Sequence, residues 1–273
     1  MNVALTGSLI LVGAGKMGGA MLEGWLKSGV DPKKIVVLDP FVSDEMKALL
    51  SKHKVSLNPA VAEIGNAEVV LIAVKPQMME SVLPTIVGLG TAKPLILSVA
   101  AGKTIASFEH HFGKAAAIIR TIPNTPASIG RGITAMSANP NVSARQLQLA
   151  TELLSAMGEV VTVDHEELID CVTAVSGSGP AYVFYMTECL AAAAEKLGLP
   201  PTLARQLARA TVAGSGELMR VSGIDAATLR QNVTSPKGTT HAALQILMAE
   251  DGLGPLFEKA VKAAAKRSRE LAS

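Results

Sequence analysis

The sequence predicts an α/β fold in which a doubly wound, mostly parallel sheet is followed by an all-helical domain. Short apolar runs alternate with helical segments over the first 163 residues, and the segments beyond them are helical and rich in Ala and Leu. Continuous apolar runs are typical of parallel strands that are covered on both faces, and strand–helix alternation indicates a doubly wound sheet. We therefore expect two domains, residues 1–163 and 164–273.

The elements are predicted from aliphatic runs, helical periodicity, and the Gly and Pro residues that separate them. The predicted strands are Ser8–Val12, Ile35–Leu38, Val69–Val74, Leu95–Val99, Ala117–Ile122, Ile133–Ser137 and Val160–Val163. The predicted helices among them are Lys16–Ser28, Asp44–Lys52, Met78–Val87, Thr104–His111 and Ser143–Met157. The helices predicted for the second domain are Glu166–Val175, Ala181–Leu197, Thr202–Val221, Ala226–Asn232, Thr240–Ala249 and Leu256–Leu271.

The turn after the first predicted strand has the pattern Gly-x-Gly-x-x-Gly, at residues 13–18, and opens a predicted helix. In that context the pattern is typical of a Rossmann-like, dinucleotide-binding domain. Gly13 makes the tight turn, Gly15 lets the backbone approach a pyrophosphate, and Gly18 lets helix and strand pack closely. The helix N-terminus directs N–H groups at the anion, and Lys16 adds a positive charge.

A carboxylate follows the second predicted strand: Asp39 lies 21 residues after Gly18. At this place in a Rossmann-like domain, a carboxylate accepts hydrogen bonds from the ribose hydroxyls of NAD and would repel the 2′-phosphate of NADP. Asp39 therefore favours NADH over NADPH. The alternative is an ordinary Asp at a strand end, before Pro40.

Composition excludes several classes of function. Lys and Arg number 25 against 23 Asp and Glu, whereas nucleic-acid binding needs clustered positive charge. The apolar runs are shorter than the ~18 residues of a membrane helix, and the histidines lack the spacing of metal ligands. Cys171 and Cys189 predict free, buried thiols in a reducing compartment. We expect a cytoplasmic protein that binds no metal, nucleic acid or membrane.

Further motifs narrow the prediction. Three of them follow predicted strands, at Ala73–Pro76, Ser98–Gly102 and Arg120–Pro126, and two lie in the helical half, at Thr173–Tyr182 and Val233–Thr240. In this order, and over nearly the whole chain, they resemble the pyrroline-5-carboxylate reductase family, which catalyses the last step of proline biosynthesis. The Pro-Asn-Thr-Pro and Ser-Gly-Ser-Gly-Pro segments within them are more specific than the glycine turn.

The resemblance implies hydride transfer from NADPH or NADH to the C=N bond of 1-pyrroline-5-carboxylate, giving L-proline. The glycine motif and the strand-end carboxylate already predict cofactor contacts at Gly13, Gly15, Lys16, Met17, Gly18 and Asp39. The resemblance adds cofactor contacts at Ala73, Val74, Lys75, Pro76, Ala100, Ala101 and Asn124. It also implies that the loop from Ser235 to Thr240 holds the substrate, through Ser235, Gly238, Thr239 and Thr240, with Thr240 as the catalytic residue that bonds the ring nitrogen.

The predicted chemistry needs no strong base, because a protonated imine is already electrophilic. The substrate loop precedes a predicted helix, so its N–H groups suit the substrate carboxylate. The Thr240 hydroxyl can donate to or accept from the ring nitrogen. A helix-capping turn without a ligand is the alternative, because Ser and Thr are favoured caps in any context.

The chain departs from the family pattern at two places. Lys237 stands where the family usually has a Gly, and at a position of positive φ it would cost on the order of 1 kcal/mol or more. Its charge could instead help to attract the anionic substrate. Asp39-Pro40 replaces the residues often seen after the second strand in members that use NADPH, which leaves the choice between NADPH and NADH open.

The helical half predicts a homo-oligomer, at least a dimer formed through this domain. The helix Ala181–Leu197 is apolar on most faces, and such a helix is normally buried. About 110 residues cannot cover these faces alone, and the resembling family forms dimers through interleaved helical domains. Outside the site we expect solvated charges at Glu63, Glu68 and Glu80, and a structural role for Arg120 that satisfies local carbonyls.

Two alternative functions are open at this point. A β-hydroxyacid dehydrogenase of the same architecture needs a Lys base with a nearby Asn, and residues 176–190 contain neither. A sensor that binds NAD(P) without chemistry would keep the glycine turn but has no use for the substrate loop. Measurable turnover distinguishes both from a reductase.

Overall fold

A computed structural model describes residues 3–272, in which eight strands form one sheet. The strands are β1 Ser8–Val12, β2 Ile35–Leu38, β3 Ser56–Leu57, β4 Ala67–Ile72, β5 Leu95–Ser98, β6 Ala117–Ile122, β7 Gly132–Ala138 and β8 Gly158–Thr162. Their order is β3-β2-β1-β4-β5-β6-β7-β8, and every neighbouring pair is parallel except β6 with β7. The predicted doubly wound, mostly parallel sheet is confirmed. The two-residue β3 was not predicted, because so short an edge strand leaves no apolar run.

The described helices follow the predicted order. They are α1 Lys16–Lys27, α2 Asp44–His53, α3 Met79–Ile86, α4 Ile105–Phe112, α5 Ala144–Ser155, α6 Leu168–Val172, α7 Gly179–Lys196, α8 Pro201–Ser222, α9 Ala226–Asn232, α10 Thr239–Leu247 and α11 Leu253–Ala272. Side-chain caps begin several of them: the hydroxyls of Ser43, Thr104 and Ser143 each accept from the amide three residues on. A π-helical turn, Thr173–Gly177, continues α6.

The chain divides into two compact units, Met1–Gly177 with Ala265–Ser273, here called the sheet unit, and Ser178–Ala264, here called the helical unit. The sheet unit has a core on each face of its sheet. Along β1, Leu9 and Leu11 belong to one core, while Ile10 and Val12 belong to the other. Successive side chains of a strand point to opposite faces, so a strand buried on both faces must be apolar throughout.

The helical unit is built differently, around the pairing of α7 with α8. Among its described residues the buried apolar side chains are Ala191, Ala204 and Ala208, all small. Many of its large apolar side chains are exposed in the single chain, including those of Phe184, Leu190 and Leu207. Much of the apolar surface of this unit is therefore exposed in the described part of the single chain.

The two cysteines are free but exposed, so their expected burial is wrong. Cys171 follows Ile169 and Asp170, which α6 buries, and the next position on a helix turns away from that face. Cys189 lies on α7, whose buried set in the single chain is Ala191 alone among the described residues.

Candidate functional site

The strand order reverses between β1 and β4, and a crevice at such a switch point is where open α/β sheets bind ligands. Hydrogen bonds join the carboxyl ends of the strands around it. Gly13 N donates to Leu38 O at 2.9 Å, Ala73 N to Val12 O at 2.8 Å, and Val99 N to Ile72 O at 3.1 Å. The segments that follow β1, β2, β4, β5 and β6 therefore lie along one edge of the sheet.

The glycine turn has the geometry of a phosphate cradle. A Cβ on Gly13, whose φ is +92°, would lie 2.9 Å from Val74 Cγ1, and one on Gly18 would lie 2.0 Å from Gly13 O. These two positions therefore exclude larger residues. A Cβ on Gly15 would meet nothing within 4 Å, so that face of the turn is open. Gly15 also begins α1 without a side-chain cap, which leaves the helix N-terminus available to an anion.

The other residues predicted in the glycine turn have distinct surroundings. Lys16 is exposed, and Met17 is half-buried against the sheet core. The cradle thus fits a pyrophosphate beside an exposed ammonium group, which is the group that the motif predicts.

Asp39 anchors the glycine turn through its side chain. This anchoring role was not predicted from the sequence. Its Oδ2 accepts from Ala14 N at 2.7 Å, and its Oδ1 accepts from Phe41 N at 2.8 Å. Asn58 holds the Asp39 backbone from both sides, accepting from its N–H and donating to its carbonyl. A carboxylate has about four lone-pair positions, so these two bonds leave room for a ribose hydroxyl.

The remaining predicted cofactor residues lie on the same edge, after β4, β5 and β6. Ala73 and Val74 pack against Gly13, while Lys75 is exposed and precedes a short 3₁₀ turn that begins at Pro76. Ala100 is buried, and Ala101 beside it is exposed. Asn124 Oδ1 accepts from Ile133 N at 3.0 Å, which fastens this loop to the start of β7.

The predicted substrate loop is a tight turn in the helical unit. Gly238 N donates to Ser235 O at 3.0 Å, with Pro236 second and Lys237 third in the turn. Lys237 has a φ of +61°. A proline followed by a residue of positive φ is the geometry of a type II turn, whose third position normally requires Gly or Asn. Lys237 therefore occupies a position of positive φ, at which its side chain carries the expected conformational cost.

Helix α10 begins directly after this turn. Its N-cap is Gly238, which provides no side-chain cap, and Thr239 and Thr240 are its first two residues. Thr239 is exposed and Thr240 half-buried. A surface cavity of about 450 Å³ lies farther along the helical unit, lined by Thr234, His241 and others but by none of the loop residues from Ser235 to Thr240.

Sequence reasoning also missed Glu166, which follows β8. Its Oε1 accepts from Arg120 Nη1 at 2.8 Å and from Ile105 N at 2.9 Å. Arg120 thus pairs with a carboxylate, and the expectation that it would satisfy local carbonyls is wrong. The available signal was Arg120 itself, because an arginine inside a buried strand needs an acidic partner.

The part of the chain that the structure describes shows neither a metal site nor a membrane span. In residues 3–272, no three His, Cys, Asp or Glu side chains converge so as to hold a metal ion. None of the helices described here combines the length and hydropathy of a bilayer-spanning segment.

Two family profiles match the chain. The profile described as "Pyrroline-5-carboxylate reductase dimerisation" matches residues 166–271. The profile described as "NADP oxidoreductase coenzyme F420-dependent" matches residues 8–102. The first covers most of the predicted helical domain, and the second covers the glycine turn and the segments after β2, β4 and β5.

Full-length relatives agree with these matches. A pyrroline-5-carboxylate reductase of Pseudomonas aeruginosa is 38% identical over 98% of this chain and 97% of its own. One of Synechocystis sp. is 40% identical over 96% of this chain and 97% of its own. The solved structure of a pyrroline-5-carboxylate reductase from Coxiella burnetii superposes with a TM-score of 0.92, at 36% identity, covering 98% of this chain and 100% of that one.

A further solved structure contains a dinucleotide. It is a pyrroline carboxylate reductase from Plasmodium falciparum with NADP bound, and it superposes with a TM-score of 0.81, at 27% identity, over 98% of this chain and 99% of that one. The motifs, the sheet topology and these likenesses lead to one conclusion: the chain belongs to the pyrroline-5-carboxylate reductase family.

Proposed function

We propose that this chain reduces the C=N bond of 1-pyrroline-5-carboxylate with NADPH or NADH, producing L-proline in the last step of proline biosynthesis. The observation that carries the proposal is identity of 38–40% to reductases of this name over nearly their full length. The open cradle at Gly15, on the ligand-binding edge of the sheet, supports a dinucleotide cofactor.

Each cofactor segment has a distinct role in the proposal. The N–H groups at the start of α1 bind the pyrophosphate, and Gly15 lets it approach the backbone. Asp39 holds the turn through Ala14 and accepts from a ribose hydroxyl, which favours NADH. The segments Ala73–Pro76, Ala100–Ala101 and Asn124 line the remaining length of the dinucleotide. The bound nicotinamide supplies the hydride.

The loop Ser235–Thr240 binds the substrate. The uncapped N-terminus of α10 presents N–H groups that suit the substrate carboxylate. The Thr240 hydroxyl bonds the ring nitrogen and orients the imine, so the chain's contribution to the rate is proximity and orientation, worth about 7–11 kcal/mol where geometry is favourable. No residue of the loop acts as a strong base.

The helical region forms at least a homodimer. Its exposed large apolar side chains and the match of residues 166–271 to a dimerisation profile support this. We assign cofactor binding to residues 1–163, and substrate binding and dimerisation to residues 164–273. This functional boundary, between residues 163 and 164, differs from the boundaries of the two compact units. The reason is that α6 and the end of α11 pack within the sheet unit. Free thiols at Cys171 and Cys189 support a cytoplasmic location.

The test is a spectrophotometric assay of the purified protein with 1-pyrroline-5-carboxylate and either NADH or NADPH. Oxidation of a cofactor that depends on the imine, with proline identified as the product, is the expected result. Absence of turnover with both cofactors would refute the reductase function. A strong preference for NADPH would refute the role of Asp39 in cofactor choice and leave the reaction standing.

A further inference from the structure

An ion pair between the buried Arg120 and the half-buried Glu166 joins two of the cofactor segments within the sheet unit. Arg120 is 2% exposed, and the Glu166 oxygen that pairs with its Nη1 also accepts from Ile105 N, the first amide of α4. Helix α4 follows the turn that carries Ala100 and Ala101, and Arg120 lies on the strand that leads to Asn124. One carboxylate therefore connects both segments.

The end of α11 attaches to the same group of residues. Ser268 Oγ donates to Asp170 Oδ1 at 2.6 Å, and that oxygen lies 3.9 Å from Arg120 Nη2. At the other end of the turn, a Cβ on Gly102 would be only 3.0 Å from Leu271 O, and Gly102 has a φ of +72°. The last turns of α11 therefore pack against the turn after β5 and bond to the residue beside Arg120.

Stability alone is a weak reason for this arrangement. Arg120 Nε and Nη2 are buried without a hydrogen-bond partner among the described residues. The guanidinium is removed from water and the carboxylate partly so, which offsets much of the attraction between them. Well-packed apolar residues would therefore stabilise such a site as well or better. The ion pair instead fixes the distance between the two segments that it joins.

We propose that Glu166 is a positioning residue for the cofactor: it holds the turn at Ala100–Ala101 and the end of β6 in the arrangement that the dinucleotide requires. The inference rests on the proposed function, which assigns cofactor contacts to these two segments. It predicts that loss of the Glu166 charge weakens cofactor binding while the loop Ser235–Thr240 keeps its own action on the substrate.

The chain offers a matched control in Glu68. This residue was expected to be a solvated charge, but it accepts from Thr6 N and Gly7 N and pairs with Arg145 at 3.0 Å. Burial opposes its ionisation, yet the hydrogen bonds from Gly7 and Thr6 and the charge of Arg145 outweigh burial and lower the pKa of its carboxyl. Glu68 lies at the amino ends of β1 and β4, the edge opposite the cofactor segments.

The experiment compares Glu166→Gln with Glu68→Gln. The dissociation constants of NADPH and NADH are measured by fluorescence titration without substrate, alongside Tm and the KM for the imine substrate. We expect Glu166→Gln to raise the cofactor dissociation constant about tenfold and Glu68→Gln less than twofold, with the substrate KM within twofold for both. Equal effects of the two variants on cofactor binding, or none for Glu166→Gln, would overturn the proposal.

A double variant separates positioning from folding, and it decides the question if Glu166→Gln is too unstable to study. In Arg120→Met/Glu166→Gln the guanidinium that Glu166→Gln leaves without its partner is removed, and Asp170 keeps its hydrogen bond from Ser268. The amide oxygen of the introduced glutamine still offers an acceptor to Ile105 N. We expect Tm to recover towards that of the parent protein while the cofactor dissociation constant stays raised. Recovery of both would show a structural role only. Failure of the parent protein to bind either cofactor would instead contradict the proposed function.

Discussion

The sheet unit and the helical unit use apolar residues in opposite ways. In the sheet unit, Leu9, Ile10, Leu11 and Trp25 are fully buried within the single chain. In the helical unit, the buried apolar residues that the structure describes are three alanines, while Phe184 is 60% exposed. The first unit completes its own core, and the second leaves its apolar faces to another surface.

This difference indicates what each unit needs in order to work. The sheet unit can present a rigid edge of loops to a cofactor, because hydrogen bonds and packing within one chain hold each loop. The helical unit carries the predicted substrate loop on helices that a second copy of the chain must cover. Substrate binding is therefore expected to depend on assembly more strongly than cofactor binding does.

The largest expected effect comes from Phe184→Asp. Burial of a phenylalanine contributes about 1.5–3 kcal/mol, and a two-fold interface contains each change twice, so the dimer should dissociate into monomers at micromolar concentration. Light scattering after size exclusion measures the mass. Phe41→Asp is the matched control, because Phe41 is 82% exposed in the sheet unit and should leave the mass unchanged. A parent protein that is already monomeric would contradict this contrast between the units.

Thr240→Ala tests the substrate loop. A hydrogen bond to a charged group is worth about 1.5–3 kcal/mol, so kcat/KM for the imine substrate should fall roughly 10- to 100-fold. Cofactor affinity and Tm should stay close to those of the parent protein. Thr240→Ser keeps the hydroxyl and should retain most of the activity. Unchanged turnover in Thr240→Ala would remove this residue from the catalytic role.

Asp39→Asn tests the cofactor site of the sheet unit, as Thr240→Ala tests the substrate loop of the helical unit. Asparagine has one acceptor oxygen where Asp39 has two, so it keeps only one of the bonds from Ala14 N and Phe41 N, which should weaken both cofactors. Loss of the charged acceptor should weaken NADH further. We expect the ratio of NADH to NADPH affinity to fall about fivefold or more, in line with the strength by which a charged hydrogen bond exceeds a neutral one. Titration with each cofactor measures it. An unchanged ratio would leave Asp39 with its anchoring role only.

The smallest expected effect compares two lysines with positive φ, Lys54 at 57° in the sheet unit and Lys237 at 61° in the helical unit. Replacement of either by Gly should stabilise its region by about 1 kcal/mol, because left-handed backbone is unfavourable for a residue with a side chain. Only Lys237→Gly should raise the KM for the anionic substrate, and more so at low salt. An equal KM in both variants would show that the charge of Lys237 does not attract substrate.

Sequence reasoning succeeds where the determining contacts are local. Apolar runs and glycine breaks predicted β1, β2 and β6 with their observed bounds, because period, caps and turns are local properties. The same reasoning placed the predicted cofactor residues at strand ends. It did not predict that Asp39 accepts a hydrogen bond from Ala14 N or that Glu68 accepts one from Thr6 N at the opposite edge. It also did not predict that Glu166 bonds both Arg120 and Ile105. The partners in these contacts are 25 to 62 residues apart in the chain.

By itself, the sequence determined the order of strands and helices, the glycine turn, the substrate-loop motif and the family. Tertiary structure decided the parallel pairing of β1, β2, β4, β5 and β6, which brings five loops to one edge, and the reversal of strand order between β1 and β4. It also decided that Lys237 occupies the left-handed region and that Arg120 is buried against Glu166. The physical reason is that local periodicity specifies which elements form, whereas the partner of a buried charge such as Arg120 is a residue distant in the chain.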